Sequence, residues 1–179
     1  MLGLNWGATP AELAARLPCD ALVDEVRTQA DRAISVAAPP SLVFSWLCQL
    51  RVAPYSYDLL DNLGRLSPRQ RTPELEHLAL GQRFMAIFTL KSFIPGMEIT
   101  LRTTRVAVTY TVRPQDVGTR LHARVMFEVP WPIGHVAALG DLVMMRKQFL
   151  TLKWLAEEEA LMRQGFRAVP HGRRDDVET

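Results

Sequence analysis

The residues best suited to chemistry stand together in one stretch, "APYSYDLLDNLGR", Ala53 to Arg65. It holds two of the three tyrosines, Tyr55 and Tyr57, with Asp58 immediately after them and Asn62 one helical turn on. Phenolic hydroxyls donate to or accept from a ligand's carbonyl or hydroxyl, and a carboxylate and an amide beside them extend the set. The same tyrosines also suit packing beneath a loop, because a buried tyrosine finds a hydrogen-bond partner in either setting. Asp58 and Arg65 fit a ligand-polarising pair, or a local ion pair worth about 0–1 kcal/mol.

Other chemistry is thinly represented. His77, His122, His135 and His171 are scattered. None stands at i, i+4 from a second histidine or a carboxylate in a recognised metal motif, so neither a metal nor a cofactor is expected. There is no glycine-rich phosphate loop and no G-x-S-x-G nucleophile turn. No catalytic residue is identifiable. Cys19 and Cys48 lack a CxxC context. They read as free packing thiols in a reducing compartment, with a single disulfide as the alternative. Arg69 and Arg71 suit an acidic ligand or a solvated loop face, the second being favoured.

Composition narrows the classes. The 179 residues suit one domain. A chain with 48% hydrophobic and 22% charged residues is globular. A formal net charge of +2 is too small to predict nucleic acid or an anionic membrane as partner. No apolar run reaches eighteen residues, which predicts no membrane insertion, and the start lacks a secretory pattern. The expectation is therefore a cytoplasmic protein. The domain is expected over residues 1–166, with 1–28 an N-terminal extension and 167–179 a flexible polar tail.

The elements that must position the tyrosines follow from periodicity. Thr9-Pro10-Ala11-Glu12 is a capping box with proline at the first helical position. "QADRAISVAA" alternates as a strand and ends at Pro39-Pro40. "SLVFSWLCQL" is helical, Pro54 ends it, and the tyrosine stretch opens a second short helix that stops at Gly64. Residues 65–80 form a long excursion with one turn at Pro73. From Gly81 to Val129 the pattern is β. Val106, Val108, Tyr110 and Val112 share one face, as do Leu121, Ala123, Val125, Phe127 and Val129. The alternate residues, including His122 and Arg124, are assigned to a wet face. The last helix is expected from Leu139 to Gln164, with Asp141 in its first turn favouring the helix dipole. Leu142, Met145, Phe149, Leu152 and Ala156 form one apolar stripe; Val143, Leu150, Trp154 and Leu161 form another.

A sheet with one apolar face must bury it, and the last helix is the only element long enough to cover it. If the sheet curves, a gap remains between the two. The apolar wall of that gap is expected from Phe44, Leu47, Ile99, Leu101, Val108, Tyr110, Val125, Phe127, Phe149 and Leu152. Tyr55, Tyr57, Asp58 and Asn62 stand as polar groups at its mouth. The ligand-binding set is these fourteen residues.

The segments "RAISVAAPPSLVFSWLCQL", "PYSYDLLDNLGR", "PELEHLALGQRF", "GTRLHARV" and "GDLVMMRKQFLTLKWLAE" resemble the polyketide cyclase/dehydrase-like branch of the START-related, helix-grip (SRPBCC) superfamily. The resemblance runs from about Asn5 to Glu158. It implies an α+β helix-grip (START-like) fold: a curved antiparallel sheet around a long C-terminal helix, with two short helices after the first strand. Seven strands are usual in that family, and one is expected around Ala86 to Phe93. The function implied is binding of a small apolar or amphipathic molecule, of lipid, sterol or polyketide class. The alternatives are a cyclase/dehydrase-type enzyme, for which no interior histidine is evident, and a protein-interaction module. Neither the ligand nor the oligomeric state is legible.

Overall fold

The computed structural model describes residues 3–23, 28–56 and 67–167. Its centre is the alternating β sequence. Strands β1 (Asn5–Trp6), β2 (Thr28–Val36), β3 (Arg83–Phe84), β4 (Phe88–Ile94), β5 (Glu98–Arg102), β6 (Val106–Pro114) and β7 (Thr119–Phe127) form one curved sheet in the order β1-β2-β7-β6-β5-β4-β3. β1 runs parallel to β2, and every other pairing is antiparallel. The strand expected near Ala86 to Phe93 is β4. A register shift between Leu90 and Ser92 interrupts its pairing with β5, and irregularities of this kind bend a strand.

Helix α1 (Pro10–Ala14) is entered through the expected capping box. The Glu12 N–H donates to Thr9 Oγ1 at 3.3 Å, and the Thr9 N–H donates to Glu12 Oε2 at 2.7 Å. Helix α2 (Pro40–Cys48) follows β2 and begins with proline in its first turn, where the missing N–H has no helical partner to lose. A 3-10 turn, Gln49–Arg51, continues it. Pro73–Glu76 is also a 3-10 turn, within the long excursion. The second short helix expected through Gly64, with Asp58 and Arg65, lies outside the described residues.

The last helix, α3, spans Trp131–Arg167. It begins eight residues before the expected start, and at 1.5 Å per residue it is about 55 Å long. Proline near an N-terminus does not obstruct a helix, so Pro130 and Pro132 are compatible with this start. Gly134 seats the first turns against β2: a Cβ there would stand 2.3 Å from Thr28 Oγ1. With this start Asp141 lies in the third turn, far from the helix N-terminus, and stands against Arg32 of β2. Of the two stripes, Met145, Phe149, Leu152 and Ala156 are buried, whereas Val143, Leu150, Trp154 and Leu161 are exposed.

The main core fills the space between the inner face of the sheet, α2 and α3, with Trp46, Leu47, Leu101, Leu121 and Phe149 among its fully buried members. Cys19 and Cys48 are buried free thiols, and burial pushes both up to about 12.

The outer face of β7 is not wet, which corrects the expectation for His122 and Arg124. Both are buried, and Arg124 lies beneath residues 12–20. His122 Nε2 lies 2.9 Å from Asp31, and Arg124 Nε donates to the same carboxylate at 3.0 Å. The remaining Arg124 nitrogens donate to the carbonyls of Glu12, Leu13 and Ala15 at 2.6–2.9 Å and to Asp20 at 3.1 Å. These carbonyls belong to the end of α1, where a helix leaves acceptors unsatisfied. Arg120 adds an ion pair to Glu12 at 2.7 Å, which holds the Glu12 carboxyl down at about 2. A second small cluster of Leu17, Cys19, Val23, Ala107 and Met126 packs on this side.

Arg71 is likewise not a solvated loop residue. It pairs with Glu159 of α3 at 2.9 Å and with Glu76, tying the long excursion to the helix. Arg69 stacks over the Trp154 ring with 5.7 Å to its centroid.

Candidate functional site

A pocket of about 510 Å³ lies between the sheet and α3. One wall is the inward face of the sheet: Val106, Val108 and Tyr110 of β6, with Val125 and Phe127 of β7. The period of two puts these five on the same side. The opposite wall is α3, which contributes Ala137, Asp141, Met144, Met145 and Gln148. Their spacing of three and four residues keeps them on one helix face. The β3–β4 hairpin supplies Met85, Ala86, Ile87 and Phe88, and Pro54 and Ser56 complete the lining. Met85 and Ala86 have φ of 47° and 62°. Such left-handed conformations are costly for residues with a Cβ. The turn is tied down where the Met85 N–H donates to Leu50 O at 2.8 Å.

The lining is mostly apolar, and its polar groups are few. Tyr110 Oη donates to Gln148 Oε1 at 3.0 Å. Gln148 Nε2 donates to Pro54 O at 2.6 Å and approaches Met85 Sδ at 3.5 Å. One side chain thus joins β6, α3, the segment after α2, and the hairpin. Burial, with the Asp141 charge added, pushes the Tyr110 hydroxyl well above the usual phenol range, so it keeps its proton.

Asp141 faces the pocket with its side chain 16% exposed, and Arg32 of β2, fully buried, stands 3.0 Å from its carboxylate. Burial raises the Asp141 carboxyl to about 6, and Arg32 works in the opposite direction. The guanidinium is otherwise occupied by the carbonyls of Leu4, Asp31 and Ala138 at 2.9–3.0 Å. The pocket therefore contains a carboxyl group whose proton burial favours and whose charge Arg32 favours.

The expected site residues divide between the pocket and the core. Val108, Tyr110, Val125 and Phe127 line the pocket. Phe44, Leu47, Ile99, Leu101, Phe149 and Leu152 are buried in the core and are not lining residues. Tyr55 is buried edge-on to Trp46, with ring centroids 6.1 Å apart and a backbone φ of 56°. It borders a different recess, with Ser67, Arg69 and Trp154. Tyr57, Asp58 and Asn62 lie outside the described residues. Asp141 and Gln148 were not expected as site residues. A signal for both was present: positions 141, 145, 148 and 152 follow helical spacing through the buried stripe. Among the described residues, no group of three or more His, Cys, Asp or Glu could hold a metal ion, and no helix is long and apolar enough to cross a membrane.

No family model matches the chain, and no curated protein matches it. Solved structures are similar to it at low identity. The protein SSP2350 from Staphylococcus saprophyticus is 12% identical, with 74% of this chain and 94% of that chain covered and a TM-score of 0.52. The AHSA1-like protein RHE_CH02687 from Rhizobium etli is 15% identical, with 88% and 98% covered and a TM-score of 0.44. The di-domain ARO/CYC StfQ from the steffimycin biosynthetic pathway is 16% identical, with 76% and 52% covered and a TM-score of 0.43. The strand order, the short helical elements after β2 and the spanning C-terminal helix carry the assignment: the chain has the helix-grip fold.

Proposed function

We propose that this protein binds a small apolar or amphipathic molecule, of lipid, sterol or polyketide class, in the pocket between the sheet and α3. The observation that supports this reading is the pocket's composition: an apolar lining of about 510 Å³ with Tyr110, Gln148 and Asp141 set into it. Concave, largely apolar sites with a few placed polar groups are where small ligands bind. Affinity would come mainly from apolar area, at about 25 cal/mol per Å² before ordering costs. Placement in the polyketide cyclase/dehydrase-like branch and a cytoplasmic location belong to the same reading; two buried free thiols agree with a reducing compartment. Thermal-shift titration with sterols, fatty acids and aromatic polyketides, and mass spectrometry of solvent extracts of the purified protein, test it. A raised Tm with at least one class is the expected result. No shift across the panel, with nothing extracted, rejects the proposal.

One observation favours a second reading, a cyclase/dehydrase-type enzyme. Such chemistry needs an acid/base group inside the pocket with a pKa near the working pH, and Asp141 at about 6 beside the pocket meets that need. Turnover of a polyketide-like substrate that disappears in Asp141→Asn, with binding retained, is the result expected of an enzyme. Binding without turnover in the wild type leaves the first reading alone.

A further inference from the structure

Resting on the ligand-binding reading, we infer that Gln148 determines which ligands the pocket accepts: it turns Tyr110 into a hydrogen-bond acceptor, so the pocket selects an apolar molecule carrying a hydroxyl donor, an alcohol or phenol, over one carrying only a carbonyl or ether oxygen.

A carbonyl oxygen can only accept, so Pro54 O, 2.6 Å away, fixes which end of the Gln148 amide carries the hydrogens. Nε2 therefore faces Pro54 and Met85, and Oε1 faces Tyr110. Since Oε1 is an acceptor, the single phenolic proton of Tyr110 must point at it. What Tyr110 has left for a ligand is a lone pair. Gln148 has no better donor to offer, because its amide hydrogens are directed at Pro54 and Met85.

The other strong polar group of the lining agrees in sense. Asp141 lies seven residues before Gln148, two turns away on the same helix face. Its carboxylate accepts hydrogen bonds when ionised. Arg32 balances the Asp141 charge, so a neutral donor suffices and a cationic ligand is not required. The Arg32 guanidinium is itself fully buried and does not line the pocket. Ser56, the remaining polar lining residue, is already engaged within the protein. A ligand oxygen without a hydrogen would thus leave its own lone pairs facing those of Tyr110 and Asp141. Unpaired polar groups inside a site are what give a hydrogen-bonding pocket its discrimination.

Three probes with one ring system test this: 2-naphthol, 2-methoxynaphthalene and 2-acetonaphthone, titrated by calorimetry or intrinsic fluorescence. Wild-type protein is expected to bind 2-naphthol about fivefold to tenfold more tightly than the other two, the factor one net hydrogen bond supplies. In Gln148→Met the Tyr110 proton is released, and the preference should shift toward 2-acetonaphthone. In Tyr110→Phe, which leaves the Pro54 contact of Gln148 intact, the naphthol preference should fall by severalfold. If Gln148→Met does not fold, Tyr110→Phe carries the test alone. Equal wild-type affinities for all three probes, or a naphthol preference unchanged in Tyr110→Phe, overturn the inference and leave the binding reading standing. No binding of any probe counts against both.

Discussion

Replacing Arg32 by methionine tests the electrostatic account of the pocket at its most exposed assumption, that the Asp141 carboxylate is held inside by one cation. Arg32 is fully buried, pairs with Asp141 at 3.0 Å, and donates to three backbone carbonyls at 2.9–3.0 Å. Methionine fills similar volume and supplies none of these. Breaking a buried pair by removing one partner costs about 3–5 kcal/mol, because the other charge is left uncompensated. The pH dependence carries a definite sign. The Asp141 carboxyl is already raised from the ordinary 3.8 to about 6 in the folded protein. The native state thus holds an extra proton between those values, so this residue lowers stability as pH rises through the window. The interval corresponds to roughly 3 kcal/mol of cost above pH 6, absent below 3.8. Without Arg32 the Asp141 carboxyl should rise further. The stability deficit of Arg32→Met should then shrink on going from pH 7.5 to pH 5, where the carboxyl can protonate. Adding Asp141→Leu should recover much of the loss at pH 7.5, since a buried pair replaced by apolar groups is often neutral. Urea denaturation followed by circular dichroism at both pH values, for wild type and the single and double variants, provides the measurements. A loss below about 1 kcal/mol for Arg32→Met, or a double variant no more stable than the single one, refutes the account.

Three further outcomes are expected. Arg124→Met should release the segment around α1 from the outer face: Tm falls, and limited proteolysis cuts near residues 12–20 well before the body of the domain, whereas an unchanged cleavage pattern contradicts the clamp. Val108→Phe, which adds volume into the pocket from β6, should abolish ligand-induced thermal shifts while leaving a folded protein; retained shifts would move the ligand elsewhere. Cys19 and Cys48, with thiols pushed up to about 12 by burial, should resist a thiol reagent in the native state at pH 8, and both should react in denaturant.

Much of the architecture was legible because it follows from period. The alternation in β6 and β7 placed Val108, Tyr110, Val125 and Phe127 on the inward face, and the Thr9 capping box marked α1. What stayed hidden has identifiable causes. An outer strand face covered by another polar segment reads like a wet one: His122 and Arg124 are buried by partners, among them Asp31 and the carbonyls of α1 about a hundred residues away in sequence. The start of α3 at Trp131 is hard to see in sequence because Pro130 and Pro132 flank it, although proline is tolerated in the first helical turn. A start at Leu139 puts Asp141 in the first turn, where the helix dipole accounts for it and no interior role is implied. Gln148 carries no charge or motif in sequence, and its role depends on Tyr110 and Pro54, which are distant in the chain; its place on the stripe with Met145 and Leu152 is the signal the sequence holds. The tyrosine stretch has the residue types of a site, yet Tyr55 packs against Trp46 and not in the pocket beneath β6.

The two buried charge clusters are more closely related than their separate partners suggest. Asp31 and Arg32 are adjacent on β2, so the pleat sends them to opposite faces of the sheet. Asp31 goes outward to Arg124 and His122, and Arg32 goes inward to Asp141. Each covering layer is therefore tied to the same strand through a charge of opposite sign. A slip of β2 by one residue would reverse the arrangement, because such a slip moves every side chain to the other face. Arg32 would then meet Arg124, while Asp31 would meet Asp141. Both contacts would bring like charges together out of water, a far worse outcome than a displaced valine. The pairing of Asp31 with Arg124 and of Arg32 with Ala123 is thus selected electrostatically as well as by hydrophobic pattern. In this way the pocket's carboxylate and the N-terminal clamp follow from one dipeptide: the register that brings Asp31 to Arg124 is the register that supplies Asp141 with its cation.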